Sequence, residues 1–361
     1  MNTNTTINIQ DVKDEISYWI DEAIAREIQL FEIQSVFRKA LNGLSGRSFD
    51  DLKLRSQNET DEKKLLDLSA RLIDFVRSHI LFDDKLVSLF PDMQSATQIN
   101  QFLQTYFNDN KNYSGQITGN YQPFEKNDLT NGVFFYQFCI VREVNIRQEI
   151  STSNLNANIA NQFHNVYGVK RIPLNCFDFI LIDLNNNKII TGIDLARVLG
   201  KNELNVALNS FYINFRKIIN DTAISSFLNK PQDLFPKIQI FYDEVKDQTN
   251  GVTEINFITP AGTAHYEKLR GKSKDLRIAP YHEKGVEGVK NETENGVLLN
   301  NDITPYKIGK KYYRDIGDIE IHLKSSYLAL HSTNGSHLYQ AYIYATRNYN
   351  DLNFALQKLV T

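Results

Sequence analysis

The densest run of chemically useful side chains in this 361-residue chain is Asp318-Ile-Glu-Ile-His-Leu-Lys324. On a β-strand the period of two puts Asp318, Glu320, His322 and Lys324 on one face and Ile319, Ile321 and Leu323 on the other. Two carboxylates, an imidazole and an ammonium in one row can hold a divalent metal and polarise a phosphate. These four are therefore the candidate catalytic residues of a metal-dependent nuclease. If the next strand pairs antiparallel, His331 approaches His322, and His337 lies just past the turn. A solvated face of an antiparallel sheet shows the same alternation. No cofactor is expected outside the nuclease reading, which calls for Mg²⁺ or Mn²⁺.

A second cluster, Asp243-Glu-Val-Lys246, follows an apolar segment at 237–242, with Asp233 upstream. It resembles the acid-x-Lys end of restriction-type nuclease cores. The resemblance implies that Asp243 and Glu244 hold metal and that Lys246 orients water. It covers only a handful of residues, and the Gln248-Thr-Asn-Gly251 turn beyond it equally fits a solvated hairpin end.

The third cluster is basic. Between His265 and Arg314 eleven lysines and arginines face seven acids, in a chain whose net charge is −3. Lys268, Arg270, Lys272, Lys274, Arg277, Lys310, Lys311 and Arg314, with Tyr281, form the candidate nucleic-acid-binding set. Basic side chains contact phosphates, and tyrosine rings stack on unpaired bases. Glycines at 262, 271, 285 and 288 would admit a close backbone approach.

Other chemistries are excluded by what is missing. The sequence has no GxxxxGK[ST] loop, GxGxxG fingerprint, GxSxG elbow, HExxH or paired Cys/His motif. Its two cysteines, Cys139 and Cys176, sit among large apolar residues and are expected in the core of a protein kept in a reducing, cytoplasmic setting. No stretch approaches the roughly 20 apolar residues that cross a bilayer, so no membrane partner is expected.

These groups need a scaffold. Residues 1–110 read as a helical hairpin or bundle. Val12, Ile16, Ile20, Ile24, Ile28 and Phe31 recur near every fourth position, and further helices are expected at 61–80 and 95–107. Residues 108–131, rich in Asn, Gly and Asp, read as the boundary to an α+β body at 111–361. There, 133–146 reads as a strand and 154–167 as a helix. Strands at 176–183 and 188–194 flank an Asn-rich turn and lead into a helix at 202–219. The layout recurs at the C-terminus, with strands at 327–331 and 338–345 flanking Asn334-Gly335 before a helix at 350–360. Both helices open on similar octets, at 202–209 and 350–357. The body therefore reads as an antiparallel sheet carrying two hairpin-plus-helix (ββα) units, about 176–219 and 327–360, in a duplication. Strands are expected at 237–242 and 253–259, and a loop-rich basic insertion at 260–314.

Three function classes follow. The first is a non-catalytic nucleic-acid-binding protein, an accessory subunit of the kind found in prokaryotic phage-defence assemblies, since frequent Asn, Lys and Ile point to an AT-rich genome. The second is the metal-dependent nuclease. The third is an interaction subunit that docks a protein partner, or a second copy of itself, through residues 1–110.

Overall fold

The computed structural model describes residues 8–360 apart from 44–45, 111–118, 152, 154–155, 157, 159–161, 164, 196–200, 272, 295–296, 300, 316 and 334. The fold is α+β, with helices preceding a large antiparallel sheet. Helices α1 (Ile9–Ala25), α2 (Leu30–Ala40), α3 (Phe49–Asn58) and α4 (Glu62–Phe82) open the chain. The Asn8, Ser48 and Asp61 side chains accept hydrogen bonds from the first-turn amides of α1, α3 and α4. The apolar stripe expected to run unbroken from Val12 to Phe31 is interrupted. Arg26 caps α1 and Glu27 turns the backbone at φ +53°, so Phe31 falls on α2 and is exposed. Ile16, Ile20, Leu65, Leu68 and Leu72 bury their side chains within the chain itself.

The first third is not wholly helical. Strand β1 (Lys85–Phe90) leaves α4, and α5 (Ala96–Asp109) follows it. All six residues of β1 are buried, as a strand covered on both faces requires. The stretch expected as a boundary contains β2 (Gln122–Thr130), which pairs with β3 (Val133–Ile150). The helix expected at 154–167 falls largely outside the described residues, and from 166 the chain is in β4 (Val166–Asp183). Next come β5 (Lys188–Asp194) and α6 (Lys201–Ile219).

The segment expected as a strand at 237–242 is helix α7 (Phe235–Asp243). Pro236 at its first turn and burial of Leu234, Ile238 and Phe241 at helical spacing decide it over β-propensity. Nor is 260–314 an irregular insertion. After β6 (Asn250–Ile258) it supplies β7 (Ala264–Lys268), α8 (Pro280–Lys290), the short pair β8 (Thr293–Glu294) and β9 (Val297–Leu298), and β10 (Thr304–Tyr312). Then follow β11 (Ile319–Lys324), β12 (Ala341–Tyr344) and α9 (Tyr349–Val360). The second hairpin-plus-helix unit is thus built from β11, β12 and α9. Residues 327–330, expected as a strand, form a helical turn, and the partner of β12 is β11.

The main sheet runs β2-β3-β4-β5-β1-β12-β11-β10-β6-β7, and each neighbouring pair is antiparallel. Strand β1 joins its halves, with β5 on one side and β12 on the other. Helix α6 packs with Leu86, Phe90 and Ile193 on one face, whereas α7 and α9 pack with Val87, Leu89 and Ile343 on the opposite face. The β4-β5-α6 and β11-β12-α9 units therefore flank β1 with their helices on opposite sides, the arrangement a two-fold axis along β1 produces. The N-terminal helices are pinned to the sheet by buried charge. Arg26 reaches Asp194 at 3.2 Å, and Lys85 Nζ lies 3.5 Å from the same carboxylate. On the α6 face, the described residues place no helix over the half of the sheet from β12 to β7, where a cleft opens.

Candidate functional site

Strand β11 alternates as its sequence dictates. Ile319, Ile321 and Leu323 are buried against α7 and α9, and Glu320, His322 and Lys324 face the open side. Antiparallel register assembles their neighbours into rows. One row runs Lys268, Glu254, Gly309, His322 and Tyr342 across β7, β6, β10, β11 and β12. A second runs Lys311, Glu320 and Tyr344, and a third runs Tyr266, Asn256, Lys307 and Lys324. Register shifts between Gly309 and Lys310, which marks a bulge, and Thr253 as well as Glu254 lines the open face. The result is a cleft of about 1050 Å³, with Tyr313, Leu195 and Leu204 also at its edge.

Glu320 is the hub of the floor. Its Oε1 accepts from His322 Nε2 at 2.8 Å and from Thr253 Oγ1 at 2.9 Å. Burial pushes the carboxyl pKa up. The bonds from His322 and Thr253 and the charge of Lys311 outweigh that, so it lies below the usual carboxylate range. Glu254 is nearly enclosed and is neutralised by Lys307 and by Lys268, the latter at 3.4 Å. Lys324 is lowered from the ordinary lysine value by burial and by the charge of Lys307. Its Nζ sits 4.1 Å over the Tyr342 ring and donates to Tyr344 Oη at 3.1 Å. Lys307 and Lys311 lie over Tyr266 and Tyr313 at 5.6 Å each.

Gly309 makes room for His322. A side chain there would begin 2.8 Å from the ring's Cε1 and 3.1 Å from Nδ1, so the imidazole rests on bare backbone. With Glu320 ionised, the imidazole proton is assigned to Nε2, and Nδ1 is buried with no partner among the described residues.

The other sequence candidates scatter. Asp318 pairs with Lys311 at 3.0 Å at the end of the row. His331 is exposed and packs on Tyr327, and His337 bonds Asp233 at 2.8 Å, so neither joins His322. Glu244 sits apart, bridging Lys310 at 3.1 Å and Lys358 at 3.2 Å, while Asp243 bonds Gln239 and Lys246 is exposed. Two members of the basic set are unavailable to a ligand. Arg277, 1% exposed, pairs with Asp275 at 2.7 Å and donates to the Tyr242 and Glu244 carbonyls; Lys310, fully buried, is held by Glu244 and the Phe241 carbonyl. Arg314 is tied to Asp351 at 2.9 Å. Tyr281 stands exposed on α8, Arg270 and Lys274 are exposed, and Lys272 lies outside the described residues.

Metal ligation at β11 would need a third donor close to Glu320 and His322. Among the described residues the set whose ligand atoms do converge within 4.8 Å is His79, Asp83 and Asp84, between α4 and β1. There Arg347 already binds Asp83 and lies 2.9 Å from His79 Nδ1. The cysteines are buried, and burial raises Cys139 to about 11 and Cys176 to about 12, which leaves neither a nucleophile.

The sequence pointed to Glu320, His322, Lys324, Lys268 and Lys311. It did not point to Thr253, Glu254, Gly309, Tyr342 and Tyr344, whose only signal was placement on alternating strands. Comparison with known proteins found no matching family model and no matching curated sequence.

Proposed function

We propose that the protein binds single-stranded nucleic acid in the cleft over β6, β10, β11 and β12. One observation carries this reading: Lys268, Lys307, Lys311 and Lys324 line the same open sheet face as Tyr313, Tyr342 and Tyr344. Lysines supply the phosphate contacts, and tyrosine rings on an antiparallel sheet offer stacking surfaces that unpaired bases can reach. The basic residues that belong to this reading are those of the cleft, with Arg270 and Lys274 at its margin, rather than the whole run from 268 to 314.

The test is fluorescence anisotropy of labelled oligonucleotides against the full chain over a salt series. Binding should weaken with salt, and Lys311→Ala with Lys324→Ala should lower the slope of log affinity against log salt by about 0.7 per lost phosphate contact. Lys284→Ala on α8, away from the cleft, should change nothing. Salt-independent binding, or equal losses from the α8 variant, would refute the assignment. Shortening of the oligonucleotide that needs Mg²⁺ or Mn²⁺ and disappears in Glu320→Ala would favour the nuclease instead.

A further inference from the structure

The cleft is basic at its edges but presents an unused carboxylate oxygen at its floor. Glu320 Oε1 is taken by His322 and Thr253, whereas Oε2 has no hydrogen-bond partner among the described residues and is not one of the enclosed atoms. It is therefore open to the cleft. His322 Nδ1, on the strand beside Gly309, and Asn256 Oδ1, on the strand beside Lys307, are buried without partners among the described residues. A floor of this kind repels a bare polyanion, since a carboxylate lies between the lysines. It accommodates an anion that carries a hydrogen-bond donor a few bonds away.

We propose that the strand bound here is RNA and that Glu320 Oε2 accepts the ribose 2′-hydroxyl; this inference rests on the nucleic-acid reading above. The second row of the site supports it. Lys311, Glu320 and Tyr344 are cross-strand neighbours on β10, β11 and β12, each step being about 4.8 Å. A phosphate on Lys311 and a base on Tyr344 leave the sugar over Glu320. There RNA presents a hydroxyl, and DNA presents none. Base amino groups are donors as well, but a base stacked on Tyr344 lies one strand beyond the free oxygen. The carboxylate is held ionised by His322 and Thr253, so it arrives as an acceptor without a proton to lose.

The experiment measures binding of uridine, deoxyuridine and 2′-O-methyluridine decamers to the full chain, with deoxycytidine decamers alongside. With a hydrogen bond to a charged group available from one sugar and not the other, the uridine decamer should bind about tenfold or more tighter than the deoxyuridine one. The 2′-O-methyl decamer, which cannot donate, should fall to the DNA level. Glu320→Gln should abolish most of the RNA preference while leaving DNA binding equal or tighter. Equal affinity of wild type for RNA and DNA would overturn this inference and leave the nucleic-acid reading standing. Deoxycytidine bound more tightly than deoxyuridine, with no sugar preference, would overturn it in favour of base-edge reading. Absence of binding to every decamer would remove both. If Glu320→Gln fails to fold, the wild-type comparison of uridine with 2′-O-methyluridine still decides.

Discussion

Replacing Gly309 with alanine tests whether the glycine exists to seat His322. The residue lies mid-strand in β10 and is not among the positive-φ positions, so its backbone accepts alanine. The obstacle is steric. The new methyl would stand 2.8 Å from His322 Cε1, closer than real methyl contacts permit, and a tight 3.1 Å from both Nδ1 and Thr253 Oγ1. The ring must swing outward and give up its 2.8 Å bond to Glu320. Overpacking costs about 1–3 kcal/mol, and a broken bond to a charged group adds about 1.5–3 kcal/mol if it is fully lost. Lower chain entropy of alanine in the unfolded state returns about 0.4–1 kcal/mol. The expected net loss is about 3 kcal/mol. In a His322→Ala background only the 3.1 Å approach to the Thr253 hydroxyl remains, which a few tenths of an ångström of movement relieves, so the same change should cost little. A double-mutant cycle by urea unfolding should therefore give a coupling of about 3 kcal/mol. Additivity within about 0.5 kcal/mol, with equal m-values, would show that Gly309 does not position the imidazole.

Two further outcomes follow from the buried charges. Burial, together with the charge of Arg277, lowers Lys310 to about 8 from 10.5, although Glu244 favours its charged form. Between pH 8 and 10.5 the unfolded chain then binds more protons at this residue than the native one, so its contribution to stability rises with pH across that window and is constant below it. Lys310→Met should flatten that part of a stability–pH profile, and an unchanged slope would show that Lys310 is not held as the geometry implies. Arg26→Ala removes the guanidinium that links α1 to buried Asp194, whose carboxylate keeps Lys85 and the Phe177 amide among its partners. Breaking a buried pair costs about 3–5 kcal/mol, with the lower end apt here. A loss under about 0.5 kcal/mol in chemical denaturation would mean that the ion pair does not fasten the helices to the sheet.

Much of the scaffold was legible because it rests on local rules. The hydrophobic period places α4 and α5, and the Asn-rich turn places β4 and β5. Misreadings occurred where local signals compete. In α7 aromatic and β-branched residues favour a strand, yet Pro236 and contacts to β10 and β11 select a helix. At 327–331 the apolar run next to Asn-Gly looked like half a hairpin, but β11 had already taken the place beside β12. Strand β1 was hidden inside a helical stretch because six residues covered on both faces show no alternation.

The amino-acid sequence by itself determined that Glu320, His322 and Lys324 share a face, since a strand's side-chain period is a property of its backbone. It also determined that the two cysteines sit in apolar strands and that the body mixes hairpins with amphipathic helices. It could not determine which of the basic residues between 268 and 314 meet solvent. Arg277 and Lys310 look the same in composition as Lys268 and Lys311. The first two are enclosed with Asp275 and Glu244, and the second two rim a cleft. The fate of a charge depends on whether a distant partner offsets its desolvation. Packing of α7 on β10 brings Glu244 and the Phe241 and Tyr242 carbonyls, far away in the chain, onto Lys310 and Arg277, whereas Lys268 and Lys311 stand on the open face of the sheet.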